Sequence, residues 1–128
     1  MVSQLSFDSN VQKEGQTDKL VEYMTKINSH KRKIAVELFI EGKTEFESDN
    51  HEKKKQGFDK MSRALQILLE VRNSSDLDKS KQLDALIRPH LSDYNQIAQD
   101  ANLNALQGLG SGYEIPEFIN LYNKSLYD

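Results

Sequence analysis

Apolar residues recur at helical steps from about residue 19 onward. Steps of three, four, seven and eight residues, which are typical of an amphipathic helix, separate Leu20, Met24, Ile27, Ile34, Leu38 and Phe46. This pattern predicts a helix that either runs to about Ser48 or breaks near residues 28–30. Gly42 lies inside it, where glycine costs a helix about 1 kcal/mol relative to alanine. A glycine at that position also allows a second helix to approach closely.

A broader apolar stripe follows the capping residues of the segment 48–52 and ends near Arg72. Its members keep helical steps and are wide enough to face a core: Phe58, Met61, Ala64, Leu65, Ile67, Leu68 and Val71. The next residues, Asn73 to Asp76, predict a turn and a fresh N-cap. Asp78 then lies in the first turn of a third helix, where its charge suits the helix dipole.

The third helical stripe is interrupted by a proline. Its apolar members are Leu83, Leu86, Ile87, Leu91, Tyr94, Ala98 and Ala101. Pro89 lies among them, and a proline inside a helix removes one backbone hydrogen bond and clashes with the preceding turn. We therefore expect a kink or a short break near Arg88.

A glycine-rich segment separates the last stripe from the others. Three of the six glycines lie between residues 108 and 112, which marks a boundary. A short terminal helix is predicted to start at Pro116, a favourable first-turn residue. Its apolar side consists of Ile115, Phe118, Ile119, Tyr122 and Leu126.

These patterns predict an all-α fold, because no segment alternates apolar and polar residues over the length of a strand. We expect an up-and-down helical bundle of three long helices plus a short C-terminal helix. The expected organisation is a mobile N-terminal arm (1–16, with Leu5 and Phe7 as docking points), the bundle (17–107), a glycine-rich hinge (108–112) and a C-terminal amphipathic helix (113–128). The predicted core contains Leu38, Phe58, Met61, Leu65, Leu68, Leu86, Leu91 and Tyr94.

Composition narrows the class of function. The 17 basic and 20 acidic side chains give a net charge of −3, which argues against a nucleic-acid partner. The chain has no cysteine, so disulfides and thiolate metal sites are excluded. No apolar run reaches the roughly 18–20 residues of a membrane span, and the N-terminus has no secretory pattern. We expect the protein in the cytoplasm.

No pattern of catalytic or metal-binding residues is present. His30, His51 and His90 lie in different segments without the spacing of a metal site. Glu37, Glu41 and Glu45 share a helical face but lack the Glu-x-x-His motif of di-metal bundles, so we interpret them as a solvated acidic stripe. The sequence predicts neither an enzyme nor a metal or other cofactor.

The C-terminal helix is the best candidate for a functional surface. It is rich in aromatic residues and follows a flexible hinge, so it either packs as a fourth helix or covers a groove meant for a partner helix. The predicted partner is another protein or a peptide helix, and a homo-oligomer is compatible with the same surface. The predicted partner-binding residues are Phe118, Ile119, Tyr122, Leu126, Ile34 and Leu38.

The segment MSRALQILLEVRNSSDLD (61–78) resembles the middle of flagellar export chaperones of the FliS type. QLDAL (82–86) and DAN (100–102) are similar to that family's Asn-Leu-x-x-Leu and Ala-Asn elements. The resemblance implies a non-enzymatic cytoplasmic chaperone that holds a disordered export substrate as helices around its bundle. A second resemblance, of residues 42–65 to MIT domains, implies an adaptor for peptide helices. An inhibitor or immunity protein that blocks a folded partner is the third role left open.

Overall fold

The computed structural model describes the backbone of residues 2–110 and 112–127 and the side chains of residues 19–110 and 112–126. It contains four helices: α1 (Val2–Phe46), α2 (His51–Asn73), α3 (Leu77–Leu106) and α4 (Glu117–Tyr127). No strand occurs in the parts of the chain just given. The predicted all-α class, with three long helices and a short C-terminal one, is confirmed.

The chain divides into two compact units, Met1–His30 and Lys31–Asp128. The boundary between the units lies next to residues 28–30, where one of the two sequence-based alternatives breaks the first helix. The helix does not break there, because α1 is continuous from Val2 to Phe46. It therefore starts well before the predicted position near residue 19. In the first unit, Leu20 and Met24 are 59% and 42% exposed. Leu5 and Phe7 have side chains outside the described set, and mobility of residues 1–16 stays a prediction.

The second unit contains the hydrophobic core. Its fully enclosed apolar residues come from all four helices: Ala35, Phe39, Phe58, Met61, Ala64, Leu65, Leu68, Val71, Leu83, Ile87, Leu91, Tyr94, Ala98, Ile119 and Tyr122. Six of the predicted core residues are in this set. The other two, Leu38 and Leu86, are partly buried and pack against its edge.

The buried face of α1 differs from the predicted stripe. Ala35 and Phe39 are buried at 0% and 1% exposure, whereas Ile34 is 43% exposed. Helical steps alone do not determine which edge of a stripe turns inward. The inward edge is set by Gly42, because α1 packs on α2 through that glycine and thereby leaves Ile34 outside.

The α1–α2 crossing is a contact between backbones. A Cβ atom added to Gly42 would lie 2.5 Å from the carbonyl oxygen of Gly57, and one added to Gly57 would lie 2.7 Å from the amide nitrogen of Phe46. Both distances are shorter than real Cβ contacts. The expectation that Gly42 permits close approach of another helix is confirmed.

Side-chain caps define the turns between the long helices. Asn50 Oδ1 accepts a hydrogen bond from the Lys53 amide at 3.1 Å, and Asp76 Oδ1 accepts one from the Lys79 amide at 2.8 Å. Each cap satisfies a backbone donor that the first turn of a helix leaves free. The predicted stop near Arg72 and restart at Asp76 are confirmed.

Helix α3 continues through Pro89, so the alternative of a break near Arg88 is wrong. Pro89 is exposed, while Ile87 and Leu91 on either side of it are buried at 0% and 1% exposure. A proline in a helix interior costs about 3 kcal/mol. Breaking the helix would take the flanking apolar residues out of the core, which costs about 1.5–3 kcal/mol for each side chain.

His90 packs against the core rather than standing in solvent. Its ring centroid lies 4.8 Å from that of Phe39. Burial lowers the pKa of His90; Asp93 opposes this shift and Lys43 adds to it. The folded state therefore prefers the neutral imidazole.

This shift predicts a pH dependence with a definite sign. Because the pKa of His90 is lower when folded, stability falls as the pH drops through the unfolded value of about 6.5. We expect the melting temperature of the unmodified chain to decrease more between about pH 7.5 and about pH 5.5 than that of His90→Gln. His51→Gln, at an exposed position, is the control. Equal pH slopes for the unmodified chain and His90→Gln would contradict the assignment.

Candidate protein-binding groove

Helix α4 occupies a groove whose sides are α2 and α3; we call it the α4 groove. Ile119 is fully buried, Tyr122 is 7% exposed, and both belong to the core formed by the long helices. Phe118 and Leu126 are partly buried against the same core. Four of the six predicted partner-binding residues are therefore brought together, on one side of α4.

The other two predicted partner-binding residues, Ile34 and Leu38, lie on α1. Ile34 is exposed and Leu38 is partly buried. The prediction that Ile34 and Leu38 bind a partner together with the α4 residues stays a prediction.

The segment that leads into α4 contains two conformationally free glycines and one residue, Tyr113, that attaches it to the bundle. Gly108 and Gly110 have φ angles of 74° and 155°, and a Cβ added to either would meet nothing within 4 Å. L-residues other than glycine are strained at such angles. The chain then returns to the bundle at Tyr113, whose amide donates to Asn102 Oδ1 at 3.0 Å. The Tyr113 ring lies 4.9 Å from that of Phe58.

Helix α4 begins one residue later than predicted. Glu117 is its first residue, and the carbonyl of Pro116 accepts hydrogen bonds from the amides of Ile119 and Asn120 at 3.0 and 3.2 Å. Pro116 thus precedes the helix instead of forming its first turn. The fixed φ of proline still directs the chain into the groove at this point.

One end of the α4 groove contains a charged hydrogen-bond network across three helices. Arg72 of α2 donates from Nε and Nη2 to the two carboxylate oxygens of Asp84 on α3, at 2.6 and 3.4 Å. The Tyr122 hydroxyl of α4 donates to the same carboxylate. The Arg72 guanidinium also lies 5.6 Å from the centre of the Tyr122 ring.

The network keeps Asp84 ionised. Burial by itself would raise the pKa of Asp84, but the hydrogen bonds from Arg72 and Tyr122 outweigh it, so the net pKa is lowered. Burial raises the pKa of Tyr122, and its hydrogen bond to Asp84 raises it further. The phenol is therefore the donor and the carboxylate the acceptor. Protonation of Asp84 in acid removes this acceptor and weakens the attachment of α4.

A second polar contact pairs two amides. Asn95 Nδ2 of α3 donates to Asn123 Oδ1 at 2.9 Å, and Asn123 Nδ2 donates back to Asn95 Oδ1 at 3.0 Å. Both side chains are partly buried. Each amide satisfies one donor and one acceptor of the other, which offsets part of the cost of leaving water.

The sequence did not identify these polar residues. Arg72 lies at the end of the apolar stripe of α2, and Asp84 and Asn95 directly follow the stripe residues Leu83 and Tyr94 on α3. A polar residue beside an apolar stripe is the only signal that could have indicated them. Such residues are frequent on the wet edges of amphipathic helices, so this signal is weak.

No protein-family model matches the chain, and comparisons with curated proteins and with solved structures found no match either. The resemblances to FliS-type chaperones and to MIT domains therefore stay predictions. The candidate function depends on the geometry of the groove.

α4 leaves part of the groove region uncovered. A cleft of about 430 Å³ lies beside it, lined by residues of α2 and α4: Gln66, Leu69, Glu70, Asn73, Phe118, Leu121 and Tyr122. Leu121 is 59% exposed on the outer side of the helix. Apolar surface thus extends beyond the two buried anchors, Ile119 and Tyr122.

Metal-ligating side chains do not cluster in the region for which side chains are described. The acidic stripe on α1 instead pairs with α2, because Lys60 binds Glu41 at 2.8 Å and Glu45 at 2.5 Å. Those two carboxylates therefore join the helices electrostatically. Across the same described region, no helix is both long and apolar enough to cross a membrane.

Proposed function

We propose that this chain is a non-enzymatic, cytoplasmic binding protein that holds a helical segment of another protein in the α4 groove. The observation that carries the proposal is the attachment of α4. This short helix enters a groove through a glycine-containing linker and buries two anchors there, Ile119 and Tyr122. A groove that accepts one amphipathic helix in cis is suited to accept another in trans.

The energetics of α4 support its exchange for a partner. An isolated helix of about a dozen residues is marginal in water, so α4 is stable as a helix mainly while docked. Opening at Gly108 and Gly110, whose surroundings are open, would release the Tyr113 anchor together with α4. It leaves the contacts among α1, α2 and α3 in place. Local opening of this kind costs less than global unfolding.

The chemistry of the perturbed groups supports a binding role over catalysis. Tyr94, whose pKa burial raises to about 12, exchanges a hydrogen bond with the Ser62 hydroxyl at 2.7 Å. Tyr122 and Asp84 bind each other, as described above. These shifts accompany packing between helices, where structural networks perturb pKa values as active sites do. A role in export, as the FliS-type resemblance implies, would make the partner a disordered segment that becomes helical in the groove.

A matched pair of variants of the full chain tests the proposal. Ile119→Asp introduces a charge at a fully buried anchor and should release α4, because an unpaired buried carboxylate is strongly unfavourable. Leu121→Asp places the same charge on the exposed side of the same helix. We expect Ile119→Asp to capture a partner protein from a native-host lysate several-fold better than the unmodified chain, and Leu121→Asp to match the unmodified chain.

Quantitative mass spectrometry of the captured proteins provides the measurement, and circular dichroism verifies that the long helices persist. Capture that is identical for all three chains would mean that the groove is not the binding surface. Loss of capture in Leu121→Asp alone would show that the partner binds to the outer side of α4.

A further inference from the structure

The two polar contacts of α4 fix its position in the groove. Asp84 and Asn95 lie eleven residues apart on α3, which is about three helical turns, so both project toward the same side of that helix. Their partners, Tyr122 and Asn123, are neighbours on α4. A shift of α4 by one residue would separate both pairs at once. Apolar contacts alone would tolerate such a shift better, because they have no direction.

Mispairing at these positions is costly because the groups are shielded from water. The Asp84 side chain is 19% exposed, and Asn95 is partly buried beneath Asn123. A partly buried amide that loses its partner has given up water without gaining a hydrogen bond in return, which is unfavourable. A single asparagine in the seam of a coiled coil fixes the register of the helices in the same way.

We propose that the α4 groove selects helices with a defined polar signature. Counted from an aliphatic anchor at position i, the signature has a phenol at i+3 and a carboxamide at i+4. Ile119, Tyr122 and Asn123 present this signature in cis. The phenol donates to the carboxylate of the Arg72–Asp84 pair, and the carboxamide pairs with Asn95. The inference rests on the proposed function, and it assigns the chemistry of the partner segment.

Neighbouring charges agree with a neutral occupant at these two positions. Asp84 is already paired with Arg72, and the positive charge of Arg88 also acts on it. An acidic residue in place of the phenol would meet the Asp84 carboxylate and be repelled. A lysine in place of the carboxamide would leave the Asn95 amide without an acceptor. The signature therefore disfavours an acidic side chain at the phenol position and a basic one at the carboxamide position.

Labelled peptides test the selection on the full chain. The Ile119→Asp chain, whose groove is open, is titrated with a fluorescent peptide of residues 113–127, and anisotropy reports binding. We expect Tyr122→Phe and Asn123→Leu in the peptide each to weaken binding about tenfold, because each removes a hydrogen bond from a partner shielded from water. The control peptide with Leu121→Ala should bind like the unmodified peptide.

A compensating change separates recognition from general damage to the peptide. Replacing both members of a hydrogen-bonded pair by apolar groups is nearly neutral, whereas replacing one is costly. The chain that combines Ile119→Asp with Asn95→Leu should therefore bind the Asn123→Leu peptide about tenfold better than the Ile119→Asp chain does. Circular dichroism must show that both chains retain their helices.

Two outcomes overturn the selection while the proposed function stands. In the first, all peptides bind equally, and the groove recognises apolar anchors alone. In the second, no peptide binds although the Ile119→Asp chain still captures a protein from the lysate. A third outcome would identify a different occupant and also overturn the selection. If the unmodified chain sediments as a dimer and Ile119→Asp abolishes the dimer, the groove binds the α4 of a second copy.

Discussion

Replacing Gly57 by alanine should destabilise the bundle, although alanine is the better helix former. The added Cβ would press on backbone atoms of α1, 2.7 Å from the amide nitrogen of Phe46 and 3.1 Å from the carbonyl carbon of Glu45. Backbone atoms cannot rotate aside, so the two helices must separate. Overpacking typically costs about 1–3 kcal/mol, and a clash with backbone atoms belongs at the upper end of that range, against about 1 kcal/mol gained in helix propensity.

We therefore expect a net loss of about 2 kcal/mol in the free energy of unfolding for Gly57→Ala, and a similar loss for Gly42→Ala. Urea denaturation followed by circular dichroism gives this free energy. Gln56→Ala, at the exposed neighbouring position on α2, should stay within about 0.5 kcal/mol of the unmodified chain. An increase in stability for both glycine variants would show that the helices do not meet through their backbones.

Truncating Leu65 should have a comparable or larger effect. This side chain is 1% exposed in the centre of α2 and belongs to the core that all four helices share. Leu65→Ala removes buried methyl groups and leaves a cavity, which costs about 2–5 kcal/mol. Leu106→Ala makes the same chemical change at a side chain that is 85% exposed, and we expect it to cost about 0.5 kcal/mol or less.

Denaturation midpoints of the two leucine variants, measured together, test whether the core is placed correctly. A midpoint for Leu65→Ala that equals that of Leu106→Ala would place Leu65 outside the core. The comparison also bears on the α4 groove, because the groove is built on the same buried side of α2.

Helix α2 illustrates what periodicity specifies well. Phe58, Met61, Leu65 and Leu68 were predicted in the core and are buried. Their stripe is broad, so a rotation of the helix by one position changes little. The capped turn at Asp76 was also predicted, because a cap is a local interaction between residues three apart in sequence.

Helix α1 illustrates where periodicity does not suffice. Leu20, Met24 and Ile34 continue the helical pattern but are exposed, whereas Ala35 and Phe39 are buried. The apolar pattern fixes which residues share a side of a helix. It does not fix which edge of that side faces a neighbouring helix, because the packing also depends on the surface of the neighbouring helix.

The sequence by itself determined the all-α class, the number of long helices, the capped turns and the aromatic C-terminal helix after a glycine-rich segment. These follow from interactions between residues close along the chain, such as helical spacing, capping and the backbone freedom of glycine. Tertiary structure alone decided that Gly42 meets Gly57, that Arg72 and Asp84 hold Tyr122, and that Asn95 pairs with Asn123. Each of these contacts joins residues on different helices, and its strength depends on burial and distances that no single helix encodes.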